Sequence, residues 1–314
     1  MHAAISIERV SKTFGDRPAV RDLDLVVPHG SICGFIGPNG AGKTTTLRMI
    51  LGIIAPDQGT IRVLGDGTAA DARDRIGYLP EERGLYRKMR VAAWLTYLAR
   101  LKGVPALGME ARIDRWLERI GLPGVAARRC DELSKGMQQK VQFLSAVMHE
   151  PELLILDEPF SGLDPLNARL LEELVLEQHA AGRTIVLSTH VMPHAERICE
   201  RVFMIHRGEK VLDATLEEVA RSFDPRTLVV ELDAEEGAEA ALRALPFADG
   251  VVRAGARWRL SLRDDIAVPD AIRQVAAAVP LRRVEAVRAS LEDVFLRLAG
   301  HDPHADAARD GGSD

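Results

Sequence analysis

The sequence has few cysteines, no excess of basic residues and no long apolar run. Its three cysteines, Cys33, Cys130 and Cys199, lie far apart and match no metal-ligand spacing, which predicts reduced thiols. The formal net charge of -5 argues against a general nucleic-acid-binding protein, because neutralising phosphates needs a basic surplus. No apolar stretch approaches the roughly 18 residues that a membrane-spanning helix needs. We therefore expect no direct membrane span and no nucleic-acid partner.

The N-terminal segment and the composition indicate a globular cytosolic protein. Charged residues interrupt the first positions, where a secretory signal would need its apolar segment. Hydrophobic residues at 46% and charged residues at 28% are ordinary values for a folded protein. A chain of 314 residues favours one large domain and one smaller domain. We expect a cytoplasmic location, with any membrane role supplied by a partner.

Apolar patterns predict an α/β domain over residues 1–222. The stretches 5–10 and 23–27 alternate as half-buried strands do, whereas Leu153–Asp157 is a continuous apolar run, typical of a strand buried on both faces. Apolar residues at helical spacing between about 88 and 150 indicate a helical subdomain. Because helices separate the buried strands, we expect a mostly parallel sheet core beside antiparallel N-terminal strands.

A change in the sequence pattern after Ser222 indicates a small accessory domain over residues 223–300. A strand pattern at Thr227–Leu232 is followed by an alanine-rich helical stretch at 235–245 and then by further strand and helix patterns. Their order predicts an α+β unit of βαββαβ type. The final segment, 301–314, is polar and rich in glycine, and we expect it to be a disordered tail.

A glycine-rich loop at 37–44 predicts a nucleotide-phosphate site. Its sequence, GPNGAGKT, fits G-x-x-x-x-G-K-[ST], follows a predicted strand and opens a predicted helix, which is the context that the pattern requires. Glycines let backbone N–H groups face the phosphates, and the helix N-terminus adds partial positive charge. The expected nucleotide-binding residues are Gly37, Pro38, Asn39, Gly40, Ala41, Gly42, Lys43, Thr44 and Thr45.

Side chains in and beyond this loop have distinct expected roles. Lys43 supplies a positive charge for the β- and γ-phosphates, and the Thr44 hydroxyl is placed to ligate Mg²⁺. Asp157 ends a predicted buried strand and is the matching acid for Mg²⁺. Glu158 is the candidate base that polarises an attacking water. ATP and Mg²⁺ are the predicted cofactors.

Further motifs give the sequence a resemblance to the ATP-binding cassette (ABC) ATPases. LSKGMQQK at 133–140 resembles the family signature, SGLDP at 161–165 its D-loop and STH at 188–190 its switch histidine. GYLPE at 77–81 lies where the family has its glutamine loop. The motifs occur in family order and at family spacing. The sequence is most similar to the ATP-binding subunits of bacterial ABC-2-type exporters of sodium or drugs, which have a C-terminal accessory domain.

The resemblance implies a P-loop NTPase fold of the ABC type and assigns roles to particular residues. It implies adenine stacking by Phe14, a γ-phosphate contact by His190 and a Mg²⁺ ligand at Glu81. It also implies a head-to-tail dimer of two copies, in which Asp164 couples two composite sites. The residues that would face the nucleotide of the second copy are Ser134, Lys135, Gly136 and Met137.

Two departures from the family pattern bear on turnover more than on fold. Glu81 stands where the family has glutamine, with Glu82 as the alternative equivalent, and either carboxylate adds negative charge near the γ-phosphate. In the signature, Lys135 and Met137 replace glycine and glutamine. Ser134 and Gly136 match the serine and the second glycine with which the family contacts phosphate.

The implied function is an ATPase that drives a separate integral membrane permease from the cytoplasmic face, for export. The alternative is a soluble ABC-type ATPase that acts on ribosomes or DNA without a permease. Such relatives carry two cassettes or long coiled coils, which this sequence lacks.

A module that senses ATP without hydrolysis is disfavoured by the presence of Glu158 and His190. The spacing of His190 and His194 could suit zinc, but a zinc site is disfavoured because the sequence offers no adjacent glutamate and no third ligand. The transported substrate does not follow from the sequence.

Overall fold

A computed structural model of the chain describes residues 3–65, 67–82, 84–223, 226–233, 237–263 and 265–299. The chain divides into two compact units between Thr215 and Leu216. The division precedes the boundary that the change in the sequence pattern placed at 222, because the helix Leu216–Ser222 belongs to the second unit. The tail expected at 301–314 lies outside the described residues.

The first unit combines nine strands and six α-helices in its described part. The strands are β1 (Ala3–Phe14), β2 (Arg17–Pro28), β3 (Ile32–Ile36), β4 (Gln58–Val63), β5 (Ile76–Leu79), β6 (Leu153–Asp157), β7 (Thr184–Thr189), β8 (Arg201–His206) and β9 (Glu209–Thr215). The helices are α1 (Lys43–Ile50), α2 (Val91–Leu101), α3 (Met109–Arg119), α4 (Lys135–Val147), α5 (Pro165–Ala180) and α6 (Met192–Ile198). Short 3₁₀ turns occur at Arg73–Arg75 and Cys130–Glu132.

A six-stranded sheet in the order β5-β6-β7-β3-β8-β9 forms the centre of this unit. The first five strands pair in parallel, and β9 pairs antiparallel with β8. Every residue of β3, β6 and β7 is buried, as their continuous apolar runs predict. The predicted α/β class with a mostly parallel core is therefore confirmed. Because β3, β6 and β7 are neighbours, the loops at their carboxyl ends meet at one edge of the sheet.

A second sheet, in the order β2-β1-β4, is antiparallel, as predicted for the N-terminal strands. Ile5 of β1 pairs with Val27 on one side and with Val63 on the other. Its buried residues share one core with Phe35 of β3 and Leu47 of α1. The antiparallel sheet thus covers the phosphate-loop region from one side.

Helices α2, α3 and α4 occupy the stretch predicted as a helical subdomain. Val91, Trp94 and Leu95 of α2 are buried on one face, which matches their helical spacing. Helix α4 is the most enclosed of the three, with charged and amide side chains among its buried residues. No described helix is long and apolar enough to cross a membrane.

The second unit is α+β, with the predicted βαββαβ order at its centre. Its elements are α7 (Leu216–Ser222), β10 (Thr227–Leu232), α8 (Ala238–Arg243), β11 (Ala248–Ala254), β12 (Arg257–Leu262), α9 (Val268–Ala278), β13 (Leu281–Val287) and α10 (Leu291–Leu298). The sheet is antiparallel, in the order β11-β12-β10-β13. Leu228, Trp258, Leu260 and Val275 are among the residues of a core formed by this unit alone. The helix predicted at 235–245 corresponds to α8, which begins after Gly237 (φ 72°) and ends at Arg243; positions 235 and 236 of the prediction lie outside the described residues.

Candidate functional site

The loop between β3 and α1 turns so tightly that two positions require glycine. A Cβ atom at Gly37 would lie 2.2 Å from the backbone oxygen of Ile205. One at Gly42 would lie 2.6 Å from the backbone oxygen of Ala19, and Gly42 has φ 112°, where L-residues are strained. The backbone therefore passes between β8 and β2 before it enters α1. This path leaves the N-terminus of α1 at the carboxyl edge of the central sheet, where a helix attracts anions.

Lys43 begins α1 and is only 5% exposed. Its Nζ donates hydrogen bonds to the backbone oxygens of Gly37, at 2.7 Å, and of Pro38, at 3.2 Å. The same Nζ lies 3.7 Å from Oε1 of Glu158, which is also 5% exposed. A buried ammonium group is thus held by the loop itself and by a buried carboxylate.

Asp157 ends β6 and is fully buried, with one carboxylate oxygen unpartnered. Its Oδ1 accepts hydrogen bonds from Thr44 Oγ1, at 3.3 Å, and from Ser188 Oγ. Its Oδ2 has no hydrogen-bond partner among the described residues. Burial raises the pKa of the Asp157 carboxyl above its ordinary value, although the hydrogen bonds from Ser188 and Thr44 oppose the rise. A buried carboxylate with a free oxygen beside a hydroxyl fits a hard cation such as Mg²⁺.

Glu158 adopts an unusual backbone conformation and anchors the start of the next loop. Its φ of 49° lies in the left-handed region, which costs a non-glycine residue conformational energy. Its N–H donates to the backbone oxygen of Ser188 at 3.1 Å. Its Oε1 accepts the N–H of His190 at 3.0 Å and lies 2.8 Å from Nδ1 of the same residue. One carboxylate oxygen is therefore shared between Lys43 and His190.

A cleft of about 200 Å³ collects most of the predicted nucleotide and catalytic residues. Its lining consists of Ala19, Asn39, Gly40, Gly42, Lys43, Thr44, Thr45, Glu81 and Glu158. Glu81 lines this cleft and Glu82 does not, so the geometry favours Glu81 as the equivalent of the family glutamine. Backbone and hydroxyl donors, one ammonium group and several carboxylates together suit a phosphate ligand with a hard cation.

Two residues of the N-terminal strands bear on the nucleotide site. Phe14 ends β1 with 52% of its surface exposed, and it does not line the cleft. The Lys12 ammonium lies 5.6 Å from the centre of its ring. Ala19, which no motif indicated, lines the cleft because β2 passes against the glycine loop.

Ser188 is a second contributor, whose own role the sequence did not indicate although it begins the STH motif at 188–190. It lies two residues before His190 at the end of β7 and contacts both Asp157 and Glu158. Its signals in the sequence were its place in that motif and its position near the carboxyl end of a buried strand.

The signature residues and Asp164 lie outside the cleft. Ser134 is exposed and precedes α4, where its hydroxyl accepts the N–H of Met137 at 3.3 Å. Lys135 is exposed, and a Cβ atom at Gly136 would lie 3.6 Å from Leu163. Signature and D-loop therefore share one surface region within this chain.

Asp164 precedes α5 and accepts the N–H of Asn167 at 2.9 Å. That hydrogen bond holds the pKa of the Asp164 carboxyl below its ordinary value.

His190 and His194 contact different carboxylates, Glu158 and Glu172 respectively. No group of three or more histidine, cysteine or acidic residues in the described part of the chain could hold a metal by itself.

Comparison with known proteins finds family matches in both units. Residues 20–161 match the family described as ABC transporter. Residues 215–299 match the family described as ATP-binding protein DrrA1-3-like, C-terminal domain. The second match begins near the division between the two units.

Relatives of similar length align over almost the whole chain. The ABC transporter ATP-binding protein YhaQ of Bacillus subtilis is 41% identical over 303 residues, which cover 94% of this chain and 98% of the relative. The Nod factor export ATP-binding protein I of Paraburkholderia xenovorans is 36% identical over 303 residues, covering 96% of this chain and 98% of the relative. Both alignments extend through the second unit.

A solved structure described as the ATP-binding subunit of an ABC transporter superposes with a TM-score of 0.65 and 34% identity. The match covers 70% of this chain and 93% of that chain. CbiO1 from Clostridium perfringens, part of the ABC transporter complex cbiONQ, superposes with a TM-score of 0.62 at 23% identity and covers 78% of this chain and 97% of that chain. The second likeness concerns the fold alone.

We predict that Asp157→Asn stabilises the protein when no nucleotide is bound. At neutral pH the variant should gain on the order of 1 kcal/mol, because an unpaired buried amide costs less than an unpaired buried charge. Since the pKa of Asp157 is raised, the wild type loses stability as pH rises through that pKa. The difference should therefore vanish as pH falls towards the ordinary aspartate pKa, about 3.9. Denaturant unfolding of both proteins at several pH values measures this difference in the free energy of unfolding.

Asp213→Asn is the matched control for this prediction. Asp213 accepts hydrogen bonds from Arg201 and Lys210, both at 2.8 Å, so its loss should destabilise the protein at neutral pH. If Asp157→Asn destabilises the nucleotide-free protein as much as the control does, the charge of the Asp157 carboxylate is compensated by the protein. Our conclusion that Oδ2 of Asp157 is unpartnered would then be wrong.

Proposed function

Because the chain belongs to the ABC transporter ATP-binding family and is an ATPase of that family, we propose that it powers export through a separate membrane permease. ATP binding closes a head-to-tail dimer of two copies, and hydrolysis reopens it. The observation that carries the proposal is the Glu158 oxygen shared by Lys43 and His190 beside the glycine loop. The export direction is supported by relatives such as the Nod factor export protein.

In this proposal the glycine loop and Lys43 bind the β- and γ-phosphates of ATP. Loop N–H groups and the N-terminus of α1 face the phosphate oxygens, and the Lys43 charge neutralises them. Thr44, Asp157 and Glu81 would hold Mg²⁺, which, when bound, neutralises phosphate charge. Phe14 stacks on the adenine from the exposed end of β1.

Glu158 is the general base and His190 orients the reaction. Glu158 accepts a proton from the attacking water while the water oxygen bonds to the γ-phosphorus and the bond to the ADP oxygen breaks. The left-handed backbone and the His190 N–H fix the Glu158 carboxylate in the cleft. His190, with 44% of its side chain exposed, is accessible to the γ-phosphate.

The signature completes the site of the second copy. Ser134 and Gly136 lie at the start of α4, away from the cleft of their own chain. A helix N-terminus with an exposed hydroxyl suits a phosphate that another molecule brings. Asp164 lies on the neighbouring loop, and we assign it the coupling of the two sites.

The permease docks on the helical subdomain beside α2. Tyr86 and Tyr97 are 56% and 45% exposed and meet edge to face, with ring centres 6.3 Å apart. Leu101 is 60% exposed and borders a hollow of about 710 Å³ with Tyr97. Exposed apolar groups in a hollow are typical of protein contacts. Docking there attaches the chain to the cytoplasmic face of the membrane.

We assign an accessory role to the second unit, which begins at Leu216. All residues given roles in ATP binding or hydrolysis precede it, and it has a hydrophobic core formed by its own residues.

The competing function is an ATPase that acts on ribosomes or DNA without a permease. The net charge of -5 does not support it, because binding nucleic acid needs a basic surplus.

Lys43→Ala should abolish ATP hydrolysis. The β- and γ-phosphate charge is then uncompensated in a buried cleft, and phosphate release should fall at least about 100-fold. Lys210→Ala is the control, because Lys210 pairs with Asp213 outside the cleft and should keep wild-type turnover. Phosphate release by Lys43→Ala at the wild-type rate would refute the site.

Glu158→Gln should trap an ATP-dependent dimer. The substitution keeps the shape of the side chain and removes the base, so bound ATP persists and holds two copies together. Light scattering should show dimers with ATP and monomers without it. Adding Ser134→Arg to the same chain should restore the monomer, because the signature then clashes with the partner's phosphates. A monomeric Glu158→Gln at saturating ATP with the permease present contradicts the two-chain site.

Tyr97→Glu should release the protein from membranes while ATP binding is unchanged. A carboxylate in an apolar contact is desolvated without a partner and weakens docking. Co-fractionation with membranes from the producing cells measures the effect. Val252→Glu, at an exposed apolar position of the second unit, should leave co-fractionation intact. A wild-type protein that never accompanies membranes would favour the alternative without a permease.

A further inference from the structure

Gln142 is a buried amide in the middle of α4 that faces the loop carrying Glu81. It is 2% exposed, and its Nε2 donates hydrogen bonds to the backbone oxygens of Pro80, at 3.2 Å, and Glu82, at 3.3 Å. These two carbonyl groups flank Glu81 on either side. The amide therefore holds the backbone directly before and directly after the carboxylate that lines the cleft.

The orientation of the Gln142 amide follows from its surroundings. Two carbonyl oxygens face one end of the side chain, and only the NH₂ group can donate to both. Its Oε1 is buried and has no hydrogen-bond partner among the described residues. An apolar residue of the same length would avoid an unpaired buried oxygen. The two bonds to the Glu81 loop are therefore what the amide contributes at this position.

Helix α4 also packs closely along the strand that leads into this loop. A Cβ atom at Gly77 of β5 would lie 2.1 Å from the backbone oxygen of Ala146. His149 Nε2 lies 3.1 Å from the backbone oxygen of Ile76. Gln142 and Ala146 lie four residues apart on one face of α4, and His149 follows in the turn after the helix, so α4 and this turn contact β5 and its loop.

A second amide of the same helix contacts the loop after the other cleft carboxylate. Gln139 is 3% exposed, and its Nε2 donates to the backbone oxygen of Pro159 at 3.0 Å, directly after Glu158. The helix that begins at the signature thus holds both loops that bring a carboxylate to the cleft. Glu81 differs from Glu158 because no hydrogen bond or ion pair within the described residues fixes its own side chain.

We propose that Gln142 is a positioning residue for Glu81 and thereby sets the Mg²⁺ dependence of nucleotide binding. The inference rests on the proposed function, in which Glu81 acts on Mg²⁺ with ATP. Gln142 does not touch the ligand; it fixes the backbone on both sides of Glu81, so that the carboxylate reaches the cleft. Removing a group that orients a metal ligand typically weakens metal affinity about 10- to 100-fold.

The test is a double-mutant cycle on the full chain with Glu81→Ala and Gln142→Met. ATP affinity is measured by equilibrium titration across a range of Mg²⁺ concentrations, with thermal unfolding as the check on folding. Each single variant should raise the half-saturating Mg²⁺ concentration about tenfold. The double variant should show no further rise, because Gln142 acts only through Glu81. Gln142→Ala, which leaves room for water at the two carbonyls, replaces the methionine variant if that variant does not fold.

Gln178→Met is the matched control, since Gln178 is a buried glutamine of α5 that does not line the cleft. It should leave the half-saturating Mg²⁺ concentration unchanged, whatever its thermal midpoint. A normal Mg²⁺ dependence in Gln142→Met, or a double variant whose shift is the product of the two single shifts, overturns the inference while the proposed function stands. If Glu81→Ala itself has no effect, the role of Glu81 in the proposed function is wrong, and the inference falls with it.

Discussion

Two buried carboxylates and one buried ammonium group lie within a few ångströms at the carboxyl edge of the central sheet, and the site depends on their imbalance. Lys43 lies 3.7 Å from Glu158 and partly compensates it, whereas Asp157 keeps an unpartnered oxygen and a raised pKa. Buried charges are tolerated only when they are paired or coordinate a cation. The fold therefore maintains a local excess of negative charge that a cation arriving with phosphates would relieve.

The sheet order and the glycine loop are what bring these charges together. The strands β3, β6 and β7 are adjacent, so the phosphate loop, the acid pair and His190 emerge side by side although they are distant in sequence. Gly37 and Gly42 allow the loop to pass close to β8 and β2. A side chain at either glycine would collide with the backbone of Ile205 or of Ala19, so the loop that carries Lys43 would have to shift. Backbone packing thus controls the electrostatics of the cleft.

Features encoded by contiguous residues could be predicted from the sequence, and features made by distant contacts could not. The parallel core, the βαββαβ order and the glycine loop each have a local pattern. Ala19 and Gln142 have none, because each acts through a partner far away in the chain. The sequence analysis predicts neither β8 nor β9, because the apolar run of β8 is short enough to fit helix and strand alike, and β9 mixes charged and apolar residues that are only partly buried.

The contact between Gly37 and Ile205 has a consequence for synthesis of the chain. The glycine loop is made early, but β3 lies between β7 and β8, and both are made much later. During translation the phosphate-binding segment therefore emerges long before the strands that support it. Until β8 has left the ribosome, the loop lacks the backbone of Ile205 against which Gly37 packs. The nascent first unit thus acquires a nucleotide pocket only near the end of its own synthesis.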